Sequence, residues 1–299
     1  MMKDAEQSLD NEPGLSAPHR DIQTNDARER FTLELFDALW IRYRERVSYV
    51  QQYEQMIERL GGTFVNDHIA FRTLGCQRPA TGIASLSRIF KALGYSPACC
   101  YHFPDKHLDA VHFQHPHEQF PKLFVSELRA WELPKKARNV IAGAVKTHRR
   151  NFGDSALRGL LEIDRQTPEA RRRLLKRTVD WFHRLPWKAP RKRDLVALNQ
   201  DSQYGAWVLA HGYNVNHFTA LINSQGVAEL DSIDKTVERL LAEGTPMKSA
   251  IEGEVGSKLR QTATEAVVID VPVRSGKKLG KTEWTYAYLE LAERGTIPD

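Results

Sequence analysis

Cysteine is scarce, and what there is forms no pattern. Cys76 stands alone, and Cys99 and Cys100 are neighbours, badly placed to bridge each other or to chelate one ion. A disulfide framework and a thiolate metal site are therefore excluded, and a reduced, cytoplasmic setting is the expectation. Long hydrophobic runs are missing as well. No stretch approaches the roughly 20 consecutive apolar residues of a membrane helix, so a spanning protein is not expected. Residues 1–25 are polar and open acidic, with no apolar run, which predicts a disordered tail and not a secretory segment. Glycine-rich phosphate loops, a Gly-x-Ser-x-Gly elbow and zinc-ribbon spacing are also absent.

What is present is an ordinary globular balance, 41% hydrophobic and 27% charged over 299 residues, enough for one large core or two small ones. The net charge of +5 is unevenly spread. Between Glu132 and Arg193 there are 18 Lys and Arg against 6 Asp and Glu, so the rest of the chain is net acidic. Within that segment Leu174, Leu175, Val179 and Phe182 recur at helical spacing between the arginines. Solvated faces of amphipathic helices explain the charge better than a nucleic-acid surface.

Order along the chain shows a repeat. Phe31 to Leu60 has helical spacing, and Gly61-Gly62 stops it. Thr63 to Leu74 alternates as a strand, Ile83 to Leu93 reads as a helix closed by Gly94, and Ser96 to Leu128 holds two or three more strands. The same order returns: Tyr213 to Ile222 as a strand, Ile233 to Ala242 as a helix closed by Gly244, then strands over Lys258–Val271 and Trp284–Arg294. Each first strand carries a histidine, His68 or His217, at 26 and 27 positions before its closing glycine. The expected fold is α+β: two βαβββ modules forming a curved mixed sheet around a cavity, within one compact catalytic domain. The expected segments are a tail over 1–25, an N-terminal helix over 26–62, modules over 63–130 and 211–299, and a basic helical insertion over 131–210. This architecture resembles that of glyoxalases and extradiol dioxygenases, the vicinal-oxygen-chelate group.

Matched positions of two copies face each other, so both histidines point into the cavity as candidate metal ligands. Trp284, Tyr286, Tyr288 and Glu290 would share one face of the last strand, and a carboxylate among rings is costly unless paired or bound to metal. Glu290 is the expected third ligand; Glu293 has the opposite parity. Two histidines and a carboxylate form the facial set of non-haem iron(II) oxygenases, though Zn, Mn or Ni also suit these donors. Arg72 shares the parity of His68, its Cα roughly 13 Å away at about 3.3 Å per residue. Its planar fork suits the far carboxylate of a short diacid whose head sits on the metal. Gln261 is a candidate for orienting substrate or O2. The dense histidines at 102, 107, 112, 115 and 117 surround Pro116, which marks an exposed turn and not a metal site. His211 is a reserve ligand.

Several of these stretches resemble the 2-oxoadipate dioxygenase/decarboxylase family: Asn66-Asp-His-Ile-Ala-Phe-Arg72, Leu123-Phe-Val-Ser-Glu-Leu128, Asn214-Val-Asn-His-Phe-Thr219, Leu259-Arg-Gln-Thr-Ala-Thr264 and Tyr288-Leu-Glu-Leu-Ala-Glu-Arg294. The last is also similar to the terminal ligand strand of 4-hydroxyphenylpyruvate dioxygenase. The resemblance implies conversion of 2-oxoadipate and O2 to 2-hydroxyglutarate and CO2 in lysine breakdown. It implies Fe(2+) on His68, His217 and Glu290, and Arg72 on the substrate carboxylate. The alternatives are a glyoxalase-like metal-dependent lyase or isomerase working without O2 and, from another class, nucleic-acid binding through the basic segment. Oligomeric state is left open, a homo-oligomer included.

Overall fold

The computed structural model describes residues 17–78, 80–149, 152–276 and 278–295. Two helices come first, α1 (Ala27–Arg46) and α2 (Ser48–Arg59). The first repeat follows as β1 (Asn66–Leu74), α3 (Ile83–Ala92), β2 (Ser96–Phe103), β3 (Leu108–Gln114) and β4 (Lys122–Leu128). The basic segment then folds as α4 (Lys135–Val145), α5 (Asp154–Leu161), α6 (Pro168–His183), α7 (Lys192–Asp201) and α8 (Gln203–His211). The second repeat is β5 (Val215–Leu221), α9 (Ile233–Ala242), β6 (Leu259–Ala263), β7 (Val268–Ser275), β8 (Lys278–Thr285) and β9 (Glu290–Arg294).

Seven strands make one mixed sheet in the order β2-β3-β4-β1-β5-β9-β6, and β7-β8 stand apart as a hairpin. At the centre β1 and β5 pair antiparallel; outward, β1 pairs parallel with β4 and β5 parallel with β9. The halves are thus related by a pseudo-twofold between β1 and β5. Both repeat helices end two residues before a glycine with positive φ, Gly94 at 97° and Gly244 at 81°, a conformation that favours glycine. In the second half the place of β2 is held by an irregular edge, where Met247 bridges Thr264 and Glu252 bridges Gln261.

One face of the sheet is apolar. Ile69 and Phe71 of β1, Leu123 and Val125 of β4, Phe218 of β5 and Leu291 of β9 are fully buried. Helices α1, α3 and α6 cover that face: Trp40 meets Phe218 at 5.0 Å, and Phe90 and Phe182 meet Phe71 at 5.0 and 5.3 Å. Alternation then commits His68, Arg72, His217 and Glu290 to the opposite, concave face. Burying rings of this size supplies most of the drive for the layer, at about 25 cal/mol per Å² of apolar surface.

Four expectations are corrected. The single helix over Phe31 to Leu60 is two, because Val47 (φ −103°, ψ 89°) leaves helical geometry while its side chain stays fully buried. Of the expected tail, residues 1–16 lie outside the described residues, but the chain from 17 onward packs: buried His19 hydrogen-bonds Asp37 at 2.7 Å and Asn66 at 3.0 Å. Lys258–Val271 divides between β6 and β7. Trp284–Arg294 divides between β8 and β9, so Trp284 and Glu290 lie in different sheets. Between them the ribbon continues irregularly, with Tyr286 N–H donating to Val267 and Thr264 N–H to Leu289. Carbonyls that regular pairing would have used are met by side chains instead. His211 donates to Thr285 at 2.8 Å, Trp207 to Tyr286 at 2.6 Å, and the Tyr43 hydroxyl to Tyr288. The basic segment does form amphipathic helices: Leu174, Leu175 and Phe182 are buried on α6 while Arg172, Arg173, Lys176 and Arg177 are exposed.

Candidate metal centre

The concave face brings His68, His217 and Glu290 together, and among the described residues they are the group whose donor atoms all lie within 4.8 Å of one another. Glu290 Oε1 is 3.3 Å from His68 Nε2 and 3.4 Å from His217 Nε2, and the two imidazoles stand at 78°. Strand register explains the convergence. His68 is opposite Thr219, Ala70 opposite His217, and Thr219 beside Glu290. The Thr219 hydroxyl sits amid the group, 3.0 Å from His68 Nε2 and 3.4 Å from Glu290 Oε1.

Each histidine is fixed from behind. His68 Nδ1 meets Asp67 Oδ2 at 2.7 Å, and Asp67 is gripped by Arg294 through two bonds of 2.5 and 2.8 Å. His217 Nδ1 meets the Asn216 amide oxygen at 3.0 Å. An Nδ1–H donated backwards turns each Nε2 toward Glu290, the orientation that metal-binding histidines require. Asp67 escapes strand alternation because the β1–β5 register shifts between Asn66 and His68.

The electrostatics follow from burial and these partners. Burial opposes charging His68, but Asp67 and Glu290 overcome it and raise it to about 9. Burial dominates at His217, which falls to about 3 despite Glu290. Burial would raise Glu290, yet the imidazoles hold it down at about 2, an ionised carboxylate in a dry place. A buried anion facing two imidazole nitrogens is a pocket for a cation: the donor set fits a divalent metal of the iron, zinc, manganese or nickel kind.

Arg72 lies on the same face, its guanidinium 5.0 Å over the Tyr204 ring and 5.1 Å over Trp207. Helix α8, from the basic segment, supplies both rings. Among the described residues no carboxylate is paired with Arg72, as none is with half-buried Arg42 and Arg46, whereas Arg294 has Asp67 and Arg44 has Glu54. A cation held by rings and left without a counter-charge is ready for an anionic ligand.

Gln261 shares this face, since it registers with Ala292, two residues beyond Glu290, but its amide reaches back to Glu252 at 3.4 Å. His211 is not drawn in; burial lowers it to about 4, and it is committed to the Thr285 carbonyl. Glu293 points the other way and accepts the Ile233 N–H at 2.7 Å, at the start of α9. The dense histidines are scattered. His102 pairs with Asp109, His107 with Glu132, and His117 reaches the Gln23 carbonyl, while His112 lies in β3 and not in a turn. Sequence reasoning missed Asp67, Arg294, Asn216, Tyr204 and Trp207; only the position of Asp67 and Asn216 next to a histidine hinted at them.

Comparison with known proteins identifies a family and a fold. The family model described as 2-oxoadipate dioxygenase/decarboxylase matches residues 36–298. A curated relative of that name from Oryza sativa subsp. japonica, chloroplastic/amyloplastic, is 27% identical over 248 residues, which is 78% of this chain. The chain spans 60% of that relative's length. A glyoxalase-superfamily protein from Ralstonia eutropha JMP134 superposes with a TM-score of 0.82 at 23% identity, covering 94% of this chain and 87% of the other. The hydroxyglutarate synthase of Oryza sativa, in complex with 2-oxoadipate, superposes at 0.74 and 23%, covering 96% and 87%. These two likenesses establish the vicinal-oxygen-chelate type of fold. With a family match over nearly the whole chain, and with paired histidines and a carboxylate gathered on the concave face of that fold, the chain belongs to the 2-oxoadipate dioxygenase/decarboxylase family.

Proposed function

We propose that this protein is an Fe(II)-dependent enzyme that converts 2-oxoadipate and O2 to 2-hydroxyglutarate and CO2, the whole of O2 being retained in the products. The observation that carries the reading is the union of the His68, His217 and Glu290 group with an Arg72 guanidinium that has no carboxylate partner among the described residues, on one face. His68, His217 and Glu290 would hold the ion. When bound, Fe(II) supplies open coordination positions and the redox chemistry that O2 needs. Everything else belongs to the chain. Asp67 and Asn216 keep Nδ1 of each imidazole protonated, so that Nε2 remains a donor. Arg72 takes the far carboxylate, and Tyr204 and Trp207 hold its plane so that little side-chain freedom is lost on binding. Gln261 is proposed to orient substrate or O2 from the next strand.

Lysine breakdown is the pathway proposed with this substrate, and the cytoplasm the compartment; the free cysteines Cys76, Cys99 and Cys100 suit a reducing space. Among the described residues no helix is long and apolar enough to cross a membrane. The test is O2 uptake by Fe(II)-loaded protein given 2-oxoadipate, with 2-hydroxyglutarate and CO2 measured together. Stoichiometric formation of both products is expected. Full Fe(II) occupancy with no O2 uptake on any 2-oxo diacid would defeat the reading, and turnover without O2 would transfer it to a lyase or isomerase of the glyoxalase kind.

A further inference from the structure

A row of residues crosses the sheet through the metal-ligand group and ends in a lysine on each side. Lys122 registers with His68, His68 with Thr219, Thr219 with Glu290, and Glu290 with Ala263. The Ala263 carbonyl then accepts the backbone N–H of Lys248 at 2.9 Å, so the irregular edge carrying Lys248 continues the row beyond β6. The two lysines differ in company. Lys122 is half-buried and feels both Arg294 and Asp67, part of the group already holding His68. Among the described residues the lysine ion pairs are Lys235–Asp231 and Lys281–Asp270, and Lys248 enters neither.

Its ammonium is nonetheless placed. Lys248 Nζ lies 4.0 Å from the centre of the Tyr288 ring, and that ring is 5.1 Å from the His217 imidazole and tilted only 30° from it. The cation is one ring away from a metal ligand. Its positive charge acts on both Glu290 and His217, whereas Arg72 acts on His217 and on Tyr288 and is not among the main charges felt by Glu290. Both cations border the Tyr288 side chain, Arg72 reaching its hydroxyl and Lys248 its ring, but of the two Lys248 is the one whose charge acts on Glu290, while Arg72 comes from β1, four residues beyond His68.

We propose that Lys248 binds the carboxylate adjoining the keto group of a 2-oxo acid, at the metal end, while Arg72 takes the carboxylate at the far end. The proposal rests on the reading of this site as a 2-oxo diacid site. A carboxylate that gives one oxygen to a metal keeps a second oxygen able to accept a charge-assisted hydrogen bond, and a flexible ammonium is suited to reach it. The Tyr288 ring holds that ammonium in place before the ligand arrives. The division of labour has a consequence for selectivity: Lys248 serves every 2-oxo acid whatever its tail, and Arg72 serves only those with a second carboxylate.

Isothermal titration of the Zn(2+)-loaded protein tests this without turnover, using 2-oxoadipate and 2-oxohexanoate, which differ in the tail carboxylate. Lys248→Gln should weaken both ligands by about tenfold, the value of one charge-assisted hydrogen bond. Arg72→Gln should weaken 2-oxoadipate alone, and Lys248→Arg should keep most of the affinity for both. Unchanged affinities in Lys248→Gln, or loss confined to 2-oxoadipate, would overturn the assignment of Lys248 to the metal end. So would a drop in Zn(2+) affinity or melting temperature large enough to account for the loss. A wild-type protein that binds zinc but neither acid would instead remove the diacid reading, and this proposal with it.

Discussion

The two halves of the sheet share a plan and divide the work unequally. The first half is the more regular, four hydrogen-bonded strands with one register shift between Pro97 and Cys99, and contributes one histidine and the arginine. The second is interrupted by a hairpin and an irregular edge, and contributes a histidine and the carboxylate. Register identifies the counterpart of Glu290: it pairs with Thr219, two beyond His217, as Phe124 pairs with Ala70, two beyond His68. One copy has kept a ring where the other has an acid. The histidines differ in the same sense, His68 backed by a carboxylate and His217 by an amide. A repeat can supply symmetric geometry, and single side chains then make the candidate centre asymmetric, with three donor side chains drawn from two copies.

Breaking the asymmetry at its sharpest point should have the largest effect. Glu290→Gln removes the only charged ligand of the three, and O2 uptake by the Fe(II)-supplied variant should fall to background in an oxygen-electrode assay. Acid should next separate the halves by stability. His211, which braces the second half, is held by burial at about 4, below its ordinary 6.5. The folded state thus refuses a proton that the unfolded chain accepts. The contribution of His211 is complete above pH 6.5 and is lost as pH falls toward 4, by on the order of 3 kcal/mol in the limit, at about 1.36 kcal/mol per pKa unit. His211→Gln should flatten that slope in urea titrations at pH 4 to 7, and an unchanged slope would refute the cause.

Smaller effects refine the contrast between the histidines. Asp67→Asn should weaken metal binding by about 10- to 100-fold, read by chelator competition, since the charged brace on His68 becomes a neutral one. Asn216→Ala should cost less than tenfold, because only a neutral hydrogen bond to His217 is lost. Equal losses would mean that the two braces are interchangeable.

How much of this was legible in the sequence depends on how local each cause is. His68 and Arg72 were readable because alternation within one continuous strand fixes their shared face, and His217 because it occupies the matching place in a copy. Glu290 was singled out by assuming an unbroken strand with Trp284; the strand is broken, but the burial that made a lone acid costly is real. Asp67 was hidden by a register shift, which no alternation rule foresees. Tyr204 and Trp207 lie on a helix brought to the site by tertiary contacts, and Lys248 on an irregular edge bonded to β6, and nothing nearby in sequence announces either.

The stretch from Thr285 to Leu289 carries a last consequence. Its carbonyls are tied to α8 through His211 and Trp207, and to α1 through Tyr43, so the residue just after it, Glu290, hangs from helices outside its own repeat. The position of the acid is therefore coupled to α1 and α8 as well as to its strand neighbours β5 and β6, so a substitution that loosens α8 is expected to disturb Glu290 from a distance.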